Sequence, residues 1–155
     1  MAEDKNLRNH YFETQTQTQN QKSPQNQIIE QVQVFKTGNE MVAEAARLID
    51  FHFMGYYPIT PSTEIAQLMD AMKSAGEIRT VLLAADGEHG AAGACLGAST
   101  AGARVLNATS ANGFLFSLEQ LPVQAGLRLP MVLNLVTRSV SGPLDIRCDH
   151  SDLLS

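Results

Sequence analysis

The sequence predicts an α/β protein whose mostly parallel sheet carries helices on both faces, and three observations support this fold class. Short apolar runs at 79–84, 104–109 and 130–137 alternate with longer segments of helical periodicity. This alternation is typical of strands joined by helical crossovers. The run at 130–137 (PMVLNLVT) is apolar enough for a strand buried on both faces. Glycine and proline mark several predicted helix ends.

Two helices are predicted before the first of these strands. Residues 37–53 form one, because Thr37 and the glutamate three residues later match a capping box, and apolar residues follow at helical spacing. The other begins at Thr60, with Pro61 at its first position, where the missing N–H of proline costs nothing. Gly76 is expected to end it.

The segment 84–103 is unusual, because thirteen of its twenty residues are alanine or glycine. Helical spacing places Gly90, Gly93, Gly97 and Ala101 along one stripe. Since glycine costs about 1 kcal/mol in a helix interior, this density predicts a packing demand. The stripe would admit another backbone or a flat ligand. The alternative is tight packing of helix on helix with no ligand.

The chain divides into two regions of different composition. Residues 1–34 hold eight of the eleven glutamines and bury too little apolar surface to offset their ordering entropy. We therefore expect a flexible arm, with 28–34 as a strand or docking segment at its end. Residues 35–155 carry the fold, including a helix at 114–126 that Pro122 should kink or end.

Composition excludes several classes of protein. The net charge of −5 does not match the basic surface that binds nucleic acid. No apolar run approaches the roughly 20 residues that span a bilayer. The first residues are not followed by the apolar core of a signal peptide, so we expect a cytoplasmic protein. Two cysteines, Cys95 and Cys148, are too few for an iron–sulfur cluster, which needs about four thiolates.

Candidate site residues lie where strands end, because ligands of open parallel sheets bind beyond the carboxyl ends of the strands. The loops at 85–89, 110–113 and 138–143 leave those ends. They carry a set of polar side chains, namely Asp86, Glu88, His89, Ser110, Asn112, Arg138 and Ser139.

Three polar residues are the strongest candidates. Thr60 opens a predicted helix, where free N–H groups favour anions. Arg138 follows a predicted strand, and its planar guanidinium suits a carboxylate. Glu88 starts a helix among apolar and small residues, a setting that suits acid–base chemistry. Structural roles remain open for all three: a helix cap, a strand terminator and a partner of the helix dipole, respectively.

Other familiar motifs are missing from the sequence. No P-loop or GxGxxG follows a predicted strand, and no GxSxG is present to place a nucleophilic serine. The stretch 149–152 (DHSD) contains metal-ligand residue types, but no other histidine or cysteine cluster joins it. We interpret it as a loop entering a helix capped by Asp149 or Ser151. Cys95 is expected to be an inert core thiol.

Four segments together resemble the signatures of the 2-oxoacid:ferredoxin oxidoreductases, in family order. The segments are YPITPSTEI at 57–65, GEHGAAGA at 87–94, ATSANG at 108–113, and TRSVSGP at 137–143 followed by DHSD at 149–152. The resemblance covers about 36–155. It is most similar to the alpha subunit, or N-terminal domain, of the pyruvate:ferredoxin (flavodoxin) enzymes, rather than to the branch that acts on 2-oxoglutarate.

The resemblance implies a thiamine diphosphate-binding fold that holds the aminopyrimidine end of the cofactor. Glu88 would then hydrogen-bond the pyrimidine ring, and Thr60 and Arg138 would bind the substrate carboxylate. Asp86-Gly87 with Asn112 loosely mimics a diphosphate-binding motif, but Ala85 replaces its first glycine.

The resemblance also implies partners. Another domain or subunit would bind the magnesium and the diphosphate, and a cluster-bearing subunit would pass electrons to ferredoxin or flavodoxin. Coenzyme A would accept the acyl group.

The length departs from the family pattern, because the family's first domain continues well past its DHSD stretch. We therefore expect an incomplete domain, truncated at the C-terminus, that is inactive without partner domains. The alternatives are a non-catalytic remnant or interaction module of the same fold, or a subunit acting on another 2-oxoacid such as 2-oxoglutarate.

Overall fold

A four-stranded sheet organises the computed structural model, which describes residues 33–140, 143, 145–147 and 149–154. The strands are β1 (Phe53–Tyr56), β2 (Val81–Ala84), β3 (Val105–Thr109) and β4 (Val132–Leu135). They lie in the order β2-β1-β3-β4, and all three pairings are parallel. The predicted α/β class and parallel sheet are confirmed.

Six helices accompany the strands within the described residues. They are α1 (Gly38–Ile49), α2 (Thr63–Ser74), α3 (Glu88–Thr100), α4 (Ala111–Ser117), α5 (Gln120–Gly126) and α6 (Ser151–Leu154). Helices α1 and α2 pack against one face of the sheet, and α3 packs against the other. None of these helices is both long and apolar enough to cross a membrane.

The face under α1 and α2 forms the apolar core. Met54 of β1, Leu106 of β3, and Ile65 and Met69 of α2 are each at most 1% exposed. Burying a side chain of this kind stabilises the fold by about 1.5–3 kcal/mol. The alanines of α1 let that helix approach the same cluster.

The opposite face is a close contact between backbones. A Cβ on Gly55, in β1, would lie 2.7 Å from the carbonyl oxygen of Ala91 and 3.0 Å from Cys95 Sγ in α3. On the predicted glycine stripe of α3, a Cβ on Gly90 would lie 2.5 Å from Asp86 Oδ1, whereas one on Gly93 or Gly97 would meet no described residue within 4 Å, so the packing demand at those two positions stays a prediction. The sheet contacts the other side of α3, through Ala91 and Cys95, and Ala92 and Ser99 are also buried.

The helix predicted at 37–53 is too long, and its last residue belongs to a strand that was not predicted. The Thr37 capping box is present, but Asp50 adopts a left-handed conformation (φ 56°) and ends α1. Residues Phe53–Tyr56 instead form β1, which pairs with β2 on one side and β3 on the other. Pairing on both sides outweighs the local helical periodicity of this segment.

The helix predicted from Thr60 begins three residues later. Ser62 is the N-cap residue of α2, and its Oγ donates to the Ile59 carbonyl at 2.9 Å. The Thr60-Pro61 peptide bond is cis, and Pro61 lies in the turn before the helix, not at its first position. At the other end, the helix stops at Ser74, two residues before Gly76, close to the predicted end.

Two further predictions are corrected. The single helix predicted at 114–126 is two helices, α4 and α5, and Pro122 lies in the first turn of α5, where its missing N–H leaves no hydrogen bond unmade. Among the described residues, β4 lies at an edge of the sheet and its Val132 is 46% exposed, so the strand is not buried on both faces there. Most of the predicted arm, residues 1–32, lies outside the described residues.

Candidate functional site

The three candidate residues all follow the carboxyl ends of strands. Thr60 follows β1, Glu88 follows β2 and Arg138 follows β4. The chain runs from β1 to β2 on one side and then returns to place β3 on the other side of β1. Such a reversal of strand order opens a crevice between the loops after β1 and β3, where open α/β sheets bind ligands.

Glu88 is the first residue of α3, and its half-buried side chain packs under α4. A Cβ on Gly113 would lie 2.5 Å from Glu88 Oε1, 2.8 Å from Glu88 Cγ and 2.7 Å from Thr109 Oγ1. Only a glycine leaves room for the carboxylate here. No hydrogen bond holds that carboxylate within the described part of the chain, so it can pair with a ligand.

Unpartnered polar atoms gather at the ends of β3 and β4. Thr109 Oγ1, Ser110 Oγ and Arg138 Nε are buried and find no hydrogen-bond partner among the described residues. An unsatisfied buried polar group costs about 1–3 kcal/mol, so such atoms call for a ligand or a water molecule. Thr109 Oγ1 and the Glu88 carboxylate both lie against Gly113, which fits a site that takes a polar ligand.

Arg138 is tied down through its backbone, three residues beyond the end of β4. Its N–H donates to Asp152 Oδ2 at 3.1 Å, and its side chain is half-buried. A partly buried guanidinium with a free Nε can bind a carboxylate in two parallel hydrogen bonds.

Asp152 is the structural residue that sequence reasoning missed. It lies in α6 with 1% exposure, and its Oδ2 also accepts from the N–H of Ala111 at 3.0 Å. Its carboxylate therefore joins the turn after β3 to the loop after β4. The DHSD stretch singled the residue out, but neither periodicity nor spacing signals that an aspartate in a short helix is buried.

Thr60 stands apart from the other two candidates. It is exposed, precedes α2 by three residues, and its side chain has no hydrogen-bond partner among the described residues. Its predicted place as the first residue of a helix is wrong, since α2 begins at Thr63.

The remaining polar residues of these loops have local roles or are exposed. Ser139 Oγ donates to the Asp145 carbonyl at 2.9 Å, and His89 Nε2 lies 2.6 Å from Glu119 Oε1. Asp86 and Asn112 are exposed.

The DHSD stretch enters a helix as expected, because Asp149 Oδ1 accepts from the Ser151 N–H at 2.7 Å. That hydrogen bond lowers the pKa of the Asp149 carboxyl. On the far side of the sheet from the core, burial raises the pKa of the Cys95 thiol to about 11, so the thiol is neutral and unreactive at physiological pH.

Comparison with known proteins matches residues 44–155 to the family described as pyruvate flavodoxin/ferredoxin oxidoreductase, thiamine diphosphate-binding. The pyruvate synthase subunit PorA of Thermotoga maritima is 42% identical over 128 residues, which cover 83% of this chain and 32% of that protein. The ketoisovalerate oxidoreductase subunit VorA of Pyrococcus horikoshii is 39% identical over 119 residues, covering 77% and 30%, respectively.

A solved structure agrees with these relatives. It is a 2-oxoglutarate:ferredoxin oxidoreductase from Magnetococcus marinus, which matches 72% of this chain and 19% of its own with 28% identity and a TM-score of 0.66. The chain thus spans about a third of the length of the curated relatives it matches. By its sequence signatures, its parallel sheet and these matches, the chain belongs to the pyruvate flavodoxin/ferredoxin oxidoreductase family and carries the thiamine diphosphate-binding domain of that family.

Proposed function

We propose that this chain is part of a 2-oxoacid:ferredoxin oxidoreductase that acts on pyruvate. The reaction joins a 2-oxoacid and coenzyme A to give an acyl-CoA and carbon dioxide, and two electrons pass to ferredoxin or flavodoxin. The observation that carries the proposal is the free Glu88 carboxylate under Gly113, in a family member whose Arg138 lies at the same edge of the sheet.

The site fits the aminopyrimidine end of thiamine diphosphate. When bound, this cofactor supplies an electron sink for decarboxylation. Glu88 would hold the pyrimidine ring by a hydrogen bond to a ring nitrogen and exchange a proton there. The unpartnered hydroxyl of Thr109, next to the same glycine, is a further polar atom available to a bound ring.

Substrate recognition is the proposed role of Arg138 and Thr60. A 2-oxoacid carries a carboxylate, and the guanidinium of Arg138 offers two parallel N–H donors to it. The buried Nε has no partner among the described residues, and a bound carboxylate would satisfy it. Thr60 would add one hydroxyl donor from the loop after β1.

The remaining groups of the reaction belong elsewhere in the proposed assembly. The sequence holds two cysteines, fewer than the roughly four thiolates of a cluster, so iron–sulfur clusters would lie in another domain or subunit. Magnesium and the diphosphate would be bound by another domain or subunit, as would most of coenzyme A. The name of the PorA relative as a subunit supports a multi-subunit enzyme.

Two alternatives concern the substrate and the activity. Relatives are named for pyruvate and for ketoisovalerate, and the matched structure is named for 2-oxoglutarate. All share a 2-oxo carboxylate, which is the part of the substrate that Arg138 would bind. A non-catalytic remnant is the other alternative, and the presence of Thr60, Glu88 and Arg138 together argues against it.

The test is an assay of the enzyme purified with its co-purifying subunits from cells that produce the protein containing this segment. Pyruvate, ketoisovalerate and 2-oxoglutarate are compared for coenzyme A-dependent ferredoxin reduction under anaerobic conditions. We expect pyruvate to give the highest kcat/KM, and removal of thiamine diphosphate to abolish the reaction. A higher kcat/KM for another 2-oxoacid would reassign the substrate, and no activity with any of them would contradict the proposal.

A further inference from the structure

We propose that Asp152 is a positioning residue for substrate binding, because its buried carboxylate fixes the backbone from which Arg138 reaches the site. This inference rests on the proposed function in one respect, which is the role of Arg138 in holding the substrate carboxylate.

The Asp152 side chain, in a four-residue helix, accepts hydrogen bonds from two backbone N–H groups of other segments. One oxygen, Oδ2, accepts from the N–H of Arg138 at 3.1 Å and from the N–H of Ala111 at 3.0 Å. The residue is 1% exposed. Two N–H donors converge on this one oxygen, and burial removes the competition from water. The carboxylate therefore holds two loops that are far apart in sequence.

Neighbouring contacts strengthen the attachment of Arg138. The Val140 N–H donates to Ser151 Oγ at 3.2 Å, and Thr137 Oγ1 lies 3.3 Å from His150 Nδ1. Both contacts flank the bond from Arg138 to Asp152. The loop after β4 is thus held against the DHSD stretch on both sides of Arg138, and Asp152 provides the only carboxyl acceptor among these contacts.

The second contact of Asp152 reaches the wall of the Glu88 site. Ala111 has φ of +42°, a conformation that a residue with a side chain rarely adopts. Its N–H is held by Asp152, and two residues later Gly113 covers the Glu88 carboxylate. A strained residue persists where surrounding contacts fix it. Asp152 therefore holds the start of α4, which carries Gly113, together with the loop that carries Arg138.

The test compares Asp152→Asn and Asp152→Ala in the assembled enzyme with Asp149→Asn, which changes an exposed carboxylate on the same segment. A small misplacement of a binding group can cost up to about a hundredfold in rate. Because Asp152 would act on the substrate only through Arg138, we expect KM for the 2-oxoacid to rise roughly tenfold in Asp152→Ala. The rise should be smaller in Asp152→Asn. The affinity for coenzyme A should stay within about twofold. Asp149→Asn should leave all of these constants unchanged.

A double variant separates positioning from a merely structural role. If Asp152 acts through the guanidinium, Asp152→Asn should raise KM no further in an enzyme that already carries Arg138→Ala. A purely structural role would lower the melting temperature and the active fraction while leaving KM unchanged, and this result would overturn the proposal. So would additive effects of Asp152→Asn and Arg138→Ala on KM.

Amide hydrogen exchange tests the contacts without any assay of activity. Asp152→Asn should accelerate exchange at the N–H groups of Ala111 and Arg138, whereas Asp149→Asn should not. If Asp152→Ala fails to fold, the asparagine variant alone decides, and wild-type KM with wild-type exchange would overturn the inference. Loss of the proposed function would show differently, as an unchanged KM in Arg138→Ala alone.

Discussion

The two sides of the site crevice differ in how firmly they are held. On one side, the end of β3 is buried, and Asp152 joins the turn after it to the loop after β4 through the N–H groups of Ala111 and Arg138. On the other side, Thr60 is exposed and has no side-chain hydrogen bond among the described residues. The first side is preorganised by its own chain, whereas the second depends on what binds to it.

This difference indicates how binding free energy is distributed. A group held in place before the ligand arrives loses little entropy on binding, so its contacts contribute nearly their full value. A group on an exposed loop must be ordered at the same time. Variants on the side of the crevice that Asp152 holds in place, the held side, should therefore have larger effects than variants of Thr60 on the exposed side.

Glu88→Gln should have the largest effect in the assembled enzyme. An amide occupies almost the same volume but cannot exchange a proton with a ring nitrogen, and general acid–base catalysis contributes typically 10²- to 10⁴-fold. We expect kcat to fall by about that factor with the melting temperature little changed. Glu119→Gln, which alters an exposed carboxylate, is the matched control. Near wild-type kcat in Glu88→Gln at saturating thiamine diphosphate would remove Glu88 from the mechanism.

Gly113→Ala should come next, because the new Cβ would overlap Glu88 Oε1 and Thr109 Oγ1. The flexible Glu88 side chain must turn away, so we expect kcat to fall up to about a hundredfold. Overpacking should also cost about 1–3 kcal/mol of unfolding free energy. Gly97→Ala in α3 is the control, since its Cβ meets nothing within 4 Å and alanine favours the helix by about 1 kcal/mol. Equal kinetics for the two variants would contradict the geometry.

Arg138→Ala should mainly raise KM for the 2-oxoacid. Losing a charge-assisted contact of about 1.5–3 kcal/mol corresponds to roughly 10- to 150-fold. Arg138→Lys should recover only part of this, because an ammonium lacks two parallel donors. The affinity for thiamine diphosphate should be largely retained. A loss confined to cofactor affinity would instead assign Arg138 to the cofactor.

Thr60→Val should have the smallest effect, because its hydroxyl is neutral and its loop is exposed. A neutral hydrogen bond contributes about 0.5–1.5 kcal/mol, which corresponds to a rise in KM of roughly two- to twelvefold. Thr60→Ser should keep a KM close to that of the wild type, since it retains the hydroxyl. If Thr60→Val raised KM for the 2-oxoacid more than Arg138→Ala does, the assignment of the held and exposed sides would be wrong.

From the sequence we could predict which strand ends carry the candidate residues, but not how those residues pack against other segments. Alternating apolar runs predicted a parallel sheet, and in such a sheet Glu88 and Arg138 must lie at the same edge. The burial of Asp152 and the covering of Glu88 by Gly113 depend on packing between segments far apart in the chain. Local patterns carry no signal of either.

Strand β1 was missed for a related reason. Its four residues contain Gly55, and they continue an apolar pattern that is also compatible with the end of α1. Only its pairing with β2 and β3 distinguishes strand from helix here, and pairing partners are not visible in a local window. The predicted start of α2 was three residues early, because Pro61 lies in the turn before the helix.

The backbone contact between Gly55 and Ala91 determines how closely α3 packs on the sheet. Glu88 lies three residues before Ala91, less than one helical turn away, so the same contact fixes how far the Glu88 carboxylate stands from the strand ends. Any side chain at Gly55 would lift α3 and carry the carboxylate with it. Gly55 has no reactive side chain, yet it thus determines the distance between the Glu88 carboxylate and the strand ends.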